Sequence, residues 1–300
     1  MEVNNLELHK LKGNTYYIDG VTTNIGLYKL NDTDICLIDT GFANVAPRIY
    51  EIIKENNWNL KYIINTHCHA DHIGANKYLM NMFPECQMIT SQIERAFARD
   101  DKLDIGFLYG GYPLDCFDTP LMHIDEQKDI LHLSKLPKQI RSFRLKGHHY
   151  DMVGFKTDDD CYFVGDAIGN KNTIYKEHIL LIHDVQGYLN SLSYINSFNG
   201  NYIIPSHSEV TTNITDLVNI NIAKIEEICD LILNLLKVPM KLEDLVKNIF
   251  DYYKIRISYN KFLLITSTIR SYLAYLYKLK MIDTKFEDNY LYYFKITKKE

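Results

Sequence analysis

The sequence predicts an α/β fold with a helical tail, and three observations carry that reading. Short apolar runs of strand length recur through residues 1–212. Between them stand segments whose apolar residues return at helical spacing, so two strand-rich halves are each backed by helices. From residue 213 onward the pattern is helical almost throughout and closes on one alternating stretch. Periodicity by itself leaves α/β and α+β both open.

In chain order, residues 15–18, 24–30 and 34–38 read as a strand meander, with Asn31, Asp32 and Thr33 supplying turn chemistry. Residues 45–56 set Ile49, Ile52 and Ile53 on one helical face. A strand at 62–65, a helix at 75–82, a strand at 87–90 and a helix near 93–99 follow. The second half repeats the logic with strands at 140–145, 152–156 and 161–164, a helix at 185–198 with Asp184 as its N-cap, and a strand at 202–204. Ile214, Leu217, Ile225, Ile228, Leu231 and Leu235 then keep helical spacing, with Asn213 as N-cap and Asp216 in the first turn. Pro239 breaks that helix. Helices at 242–253 and 261–280 and a hairpin at 283–297, turning at Glu287-Asp288-Asn289, complete the chain.

A length of 300 residues, 46% hydrophobic and 24% charged, suits a globular protein of two domains, placed at 1–212 and 213–300. The net charge of −5 gives no general pull toward nucleic acid or anionic membranes. Residues Met1, Glu2, Val3, Asn4 and Asn5 lack the basic start of a signal peptide, and no apolar run approaches the roughly 18 residues of a bilayer span. A cytoplasmic enzyme without membrane contact is expected. Six cysteines, at 36, 68, 86, 116, 161 and 229, form no C-x-x-C pair and read as reduced thiols, mostly buried.

The chemistry concentrates in Thr66-His67-Cys68-His69-Ala70-Asp71-His72-Ile73-Gly74, directly after the apolar run 62–65. Neutral imidazoles and an ionised aspartate are good ligands for a borderline cation such as Zn²⁺. If the chain is extended here, His67 and His69 point one way with Asp71 following them, and His72 points elsewhere, so one loop serves two adjacent ions. Cys68 points away by the same alternation. Further ligands are needed, and three stand at the mouths of short strands: His148 after Gly147, Asp166 after Gly165, and His207 after Pro205-Ser206.

These motifs together resemble the metallo-β-lactamase superfamily of metal-dependent hydrolases, over about the first two-thirds of the chain. Ile38-Asp39-Thr40-Gly41 is similar to its early aspartate–glycine motif, the loop 66–74 to its signature, and Lys146-Gly147-His148, Val164-Gly165-Asp166 and Pro205-Ser206-His207 to its later motifs. The resemblance implies a four-layer αββα sandwich. It implies one metal on His67, His69 and His148, a second on Asp71, His72 and His207, and Asp166 bridging the two. Asp39 would orient a ligand histidine by accepting its other N–H. The cofactor implied is a pair of divalent ions, zinc by default, with iron or manganese accepted by the same donors. The bridging aspartate points toward the glyoxalase II, lactonase and nuclease branches, and a single-iron oxygenase branch shares the motifs. One departure is His148-His149-Tyr150-Asp151, where relatives often carry a Thr-Pro-Gly-like turn. His148 is taken as the ligand because a glycine precedes it, and His149 as a supporting or partly exposed residue.

The implied activity is hydrolysis by a metal-bridging hydroxide, with Asp71 and Asp166 as the catalytic carboxylates and a small-molecule thioester, lactone or other activated acyl compound as substrate. A phosphodiesterase or ribonuclease on the same site, or a metal-dependent DNA-binding regulator, is the alternative. The glycine- and aromatic-rich segment 101–121 reads either as a lid, with Tyr109 or Tyr112 donating to a substrate oxygen, or as a surface loop with tucked aromatics. His9, His123, His132 and His178 have no ligand-like context.

Three helices and a hairpin at 213–300 resemble a winged-helix domain. That part carries 14 Lys and Arg against 11 Asp and Glu, and its last helix mixes Arg270, Lys278 and Lys280 with Tyr272, Leu273, Tyr275, Leu276 and Tyr277. Nucleic-acid binding calls for a denser basic stripe. The expected role is packing on the catalytic domain or building a homodimer.

Overall fold

The computed structural model describes residues 6–19 and 22–297. The first five residues, on which the signal-peptide reading rests, lie outside them. The chain opens with β1 (Glu7–Lys12), β2 (Thr15–Asp19), β3 (Ile25–Lys29) and β4 (Asp34–Ile38). Then come α1 (Ala46–Glu55), β5 (Asn59–Ile64), α2 (Ala70–Ile73), α3 (Asn76–Met82), β6 (Gln87–Thr90), α4 (Glu94–Phe97), α5 (Leu103–Tyr109) and β7 (Leu131–His132). These seven strands form one sheet in sequence order, antiparallel from β1 to β4 and parallel from β4 to β7.

A second sheet holds β8 (Ile140–Arg144), β9 (Val153–Thr157), β10 (Cys161–Gly165) and, after α6 (Lys171–Glu177) and α7 (Val185–Asn196), β11 (Tyr202–Pro205). The two sheets face each other. Side-chain alternation along single strands builds the layers. Cys36 and Ile38 point into the space between the sheets, with Ile64, Phe155, Phe163 and Ile204. Ile35 and Leu37, one step away, point out against Ile49, Ile52 and Ile53 of α1 and Leu79 of α3. Val164 and Ile203 point out of the second sheet toward Tyr188 and Leu192 of α7. The result is the helix–sheet–sheet–helix order.

Elements with a clear apolar period formed where the sequence placed them. The elements it did not foresee are the polar or short ones. β1 carries three charged residues and pairs only at the sheet's edge. α6 buries one side chain, Ile174, and starts because Asn170 accepts from the N–H groups of Asn172 and Thr173. The segment 101–121, which showed no helical period, contains α5. That helix stops at Gly110, whose left-handed conformation (φ +85°) suits a residue without a side chain. Asp184 takes the N-cap position of α7 without making a side-chain cap bond.

The C-terminal part contains α8 (Thr215–Leu235), α9 (Leu242–Tyr253), α10 (Tyr259–Lys278) and the hairpin β12 (Ile282–Glu287) and β13 (Tyr290–Lys295). The hairpin turns through Asp288 and Asn289, both at positive φ, the pairing a two-residue turn favours. Tyr272, Leu273 and Leu276 of α10 are buried in one core with Ile249 of α9, Ile225 of α8 and Tyr188 and Leu192 of α7. The aromatic face of the last helix is thus packing surface. Removing residues beyond Asn213 would bare the outer face of the second sheet's helix, so a chain ending there is expected to aggregate or fail to fold. Size-exclusion with light scattering checks this; a soluble, folded monomer of 1–213 would contradict it. Among the described residues no helix is long and apolar enough to cross a membrane.

Candidate metal centre

The centre forms where strands of both sheets end. β4 runs out into Asp39, which sits at φ +59°, a conformation costing a non-glycine residue on the order of 1–3 kcal/mol. The turn aims its carboxylate at the next strand's exit. Asp39 accepts from the Thr66 N–H (2.9 Å), the Thr66 hydroxyl (2.8 Å) and His72 Nδ1 (2.9 Å).

The chain is extended at His69, which occupies the N-cap position of α2. It then coils at Ala70. Asp71 therefore does not follow His67 and His69 by strand alternation, as an extended loop would require. Both Asp71 and His72 lie on a helical turn and face a different group of side chains.

Two groups result. In the first, His69 Nδ1 lies 2.9 Å from His67 Nε2 and 3.1 Å from His148 Nε2. In the second, His207 Nε2 lies 3.2 Å from both Asp71 and Asp166, and His72 Nε2 lies 3.3 Å from Asp166 Oδ1. Asp166 Oδ2 is also 3.5 Å from His148 Nε2, so this carboxylate touches both groups. Gly165 and Gly147 are required beside it. Both adopt positive φ; a Cβ on Gly147 would fall 2.2 Å from the Tyr188 backbone nitrogen, and one on Gly165 would crowd Thr66 at 3.1 Å.

The protons decide what this arrangement fits. His148 Nδ1 donates to the Leu181 carbonyl (3.0 Å) and His207 Nδ1 to the Thr22 carbonyl (2.6 Å). His72 Nδ1 donates to Asp39, and His67 Nδ1 to the Thr66 hydroxyl (3.0 Å), whose own proton goes to Asp39. With tautomers assigned from these acceptors, each neutral ring turns its Nε2 lone pair inward, at other lone pairs or at carboxylate oxygens. Such lone pairs repel unless positive charge lies among them. His72 Nε2 and Asp166 Oδ1 of the second group are moreover buried without a hydrogen-bond partner. The residues fit divalent cations.

The electrostatics agree. Burial opposes charge throughout, yet His207 and His72 hold the Asp166 carboxyl well below its ordinary range, and His72 and His207 bring Asp71 down to about 2. Burial drives His67 well below its ordinary value and takes His148 down to about 3. Against burial, Asp166 and Asp71 in turn push His72 and His207 well above their ordinary values, so the second group is built to hold positive charge among its carboxylates; the first is a set of imidazoles buried too deeply to take up protons.

His149 is not partly exposed. It is buried with its Nδ1 2.7 Å from Glu94 and its Nε2 3.3 Å from Asp104. Burial disfavours its cation, but the Glu94 charge and the bonds to both carboxylates push it up to about 10. Asp104 in turn stands 3.7 Å from His69 Nε2. Glu94 also accepts from the Cys68 thiol (2.8 Å), so Cys68 faces away from the two groups. Sequence reasoning missed Glu94 and Asp104, since nothing marks two helical carboxylates far from the signature as its neighbours.

A cleft of about 140 Å³ opens beside the centre, lined by His69, Asp71, Asp166, Asp101 and Asp104 and by apolar side chains. Tyr109 and Tyr112, which the lid reading of this segment would bring to the mouth, are not among its lining residues. Tyr109 packs on Phe117 with ring centroids 5.3 Å apart, and Tyr112 is 83% exposed. The segment contributes carboxylates and Leu121 instead. His123 is exposed beside Asp118, and His178 stacks on Tyr253; neither joins the two groups.

Residues 18–207 match the family model described as the metallo-beta-lactamase superfamily. The chain belongs to that superfamily. All the motif residues from Asp39 to His207 fall inside the match. A hydroxyacylglutathione hydrolase of Prochlorococcus marinus (strain MIT 9312) is 42% identical over 77 residues, which cover 24% of this chain and 31% of the relative. The mitochondrial persulfide dioxygenase of Homo sapiens is 45% identical over 53 residues, 18% of this chain and 21% of the relative. Glyoxylase B2 of Dictyostelium discoideum is 28% identical over 127 residues, 41% of this chain and 40% of the relative. The chain thus spans well under half the length of these curated relatives. Among solved structures, a beta-lactamase domain protein from Burkholderia ambifaria superposes with a TM-score of 0.71 at 14% identity, over 97% of this chain and 94% of that one. A metallo-beta-lactamase family protein from Thermus thermophilus gives 0.69 at 16% identity, over 97% and 98%. At such identity the likeness shows the fold alone, and it extends over the C-terminal helices.

Proposed function

We propose that this superfamily member is a dinuclear metal-dependent hydrolase acting on a thioester, lactone or other activated acyl compound. The observation that carries the reading is the convergence of seven ligand side chains in two groups that share Asp166. His67, His69 and His148 would hold one ion, Asp71, His72 and His207 the other, and Asp166 both. Asp39, Thr66 and the carbonyls of Thr22 and Leu181 fix the ring tautomers and so keep the lone pairs aimed inward. When bound, such an ion pair makes a water acidic enough to ionise near neutral pH and polarises the substrate oxygen. Zinc is the default for this donor set, and iron or manganese suits it as well.

In the overall reaction the acyl carbon gains the oxygen of water, its bond to sulfur or oxygen breaks, and the leaving group takes up a proton from that water. The relatives named for acylglutathione hydrolysis support the acyl class over a phosphodiester. The buried aromatic face of α10 gives no support to a DNA-binding regulator. The test is hydrolysis by the metal-loaded protein across thioesters, lactones and bis-nitrophenyl phosphate. Turnover of an acyl substrate, abolished by a chelator, is the expected result; turnover of the phosphodiester alone would replace this reading with the nuclease one.

A further inference from the structure

We propose that the cleft beside the metal centre is an acyl slot that selects short, uncharged acyl groups, and that the C-terminal helix α10 sets its length. This rests on the acyl-hydrolase reading above and names its substrate class. One wall is apolar: Leu121, Met122, Ile124 and Leu181 of the catalytic half meet Leu264 of α10. The lining also carries Asp101 and Asp104, together with His69, Asp71 and Asp166 of the centre. Among the described residues no lysine or arginine lines it. Lys102, the neighbouring cation, is tied to Asp118 and Asp101.

A carboxylate at the end of an acyl chain would meet Asp101, shared with Lys102, and Asp104, shared with His149, and would find no free lysine or arginine among the described lining residues, with desolvation added. A hydrocarbon chain meets five apolar side chains. A cleft of about 140 Å³ is close to a cavity of about 150 Å³ that holds a benzene ring, so it takes about six heavy atoms, the size of a five-carbon acyl group with its carbonyl oxygen.

The wall is held in place. Leu263 and Ile265, on either side of Leu264, are buried, and Phe262 stacks on Phe117. Thr119 bonds Asn260 at 2.7 Å, and Lys261 pairs with Glu177 at 2.6 Å. A fixed wall makes a length limit rather than a mere preference for apolar groups. Below the limit each added methylene should raise kcat/KM about four-fold, from the free energy of burying a CH₂ group.

The experiment uses the metal-loaded full chain with two series from two to ten carbons: acyl thioesters of a neutral thiol, read as kcat/KM, and alkyl hydroxamates, read as Kd by calorimetry without turnover. Both should rise to about five carbons and break there, and a succinyl thioester should fall at least ten-fold below the butanoyl one. Leu264→Ala should move the break one or two carbons longer, and Leu264→Phe shorter, with metal content unchanged. A flat profile in either series, a break that neither variant moves, or a preference for succinyl would overturn the slot. Hydroxamates that show the break without turnover of any thioester would uphold the slot and sink the acyl-hydrolase reading instead.

Discussion

Asp166→Ala is expected to cut turnover by orders of magnitude, well beyond the 10- to 100-fold typical of losing a supporting partner, and to weaken metal retention. Its two oxygens face His72 on one side and His207 and His148 on the other, so both groups lose a donor at once. The fold should persist. Asp166 lies at a strand exit, its carboxylate faces ring nitrogens rather than the backbone, and the turn before it is formed by Gly165. Kinetics on the best substrate, beside metal content and a thermal melt, check this. Near-normal turnover in a folded variant would remove Asp166 from the centre.

Glu94→Ala should instead act on stability. Glu94 is fully buried and receives four donors: the Cys68 thiol and N–H, the Asp151 N–H and the His149 ring. Taking away the carboxylate leaves a buried imidazolium with only Asp104 and two backbone donors with none. Breaking a buried pair from one side costs about 3–5 kcal/mol. For a chain of this size that corresponds to a fall in Tm on the order of 10 °C. Glu94→Gln, which keeps acceptors but not charge, should fall less. A Tm unchanged in both variants would show that the His149 network contributes little.

The divided legibility of this protein has physical causes. His67, His69, His148, Asp166 and His207 were readable because each is a strong ligand type placed directly after an apolar strand, and strand exits on one edge of a sandwich must meet. A period of two holds within β4, where Cys36 and Ile38 join one layer and Ile35 and Leu37 the other. It misplaced Asp71, because four residues of helix at Ala70 are too few to leave a periodic trace. Likewise α5 was hidden by Gly106 and by aromatics that pack on two sides, toward Phe97 and toward Phe117. Glu94 and Asp104 were illegible for a different reason. Their role exists only after α4 and α5 fold over His149, a contact between segments that no local pattern encodes.

The contribution of α10 was half legible. Its aromatic and aliphatic residues indicated packing rather than groove reading, and most of them are buried against α7, α8 and α9. That Leu264 on the same helix reaches the cleft beside the metal centre depends on how the C-terminal helices dock, which spacing alone does not determine.

The central claim is that seven side chains form a two-ion centre. Elemental analysis of the full chain, gel-filtered after mild loading with zinc, iron or manganese, tests it most directly. Two transition-metal ions per chain are expected, falling to one or fewer in Asp166→Ala. A parent protein that retains a single ion, or none, under conditions where it is folded would contradict it.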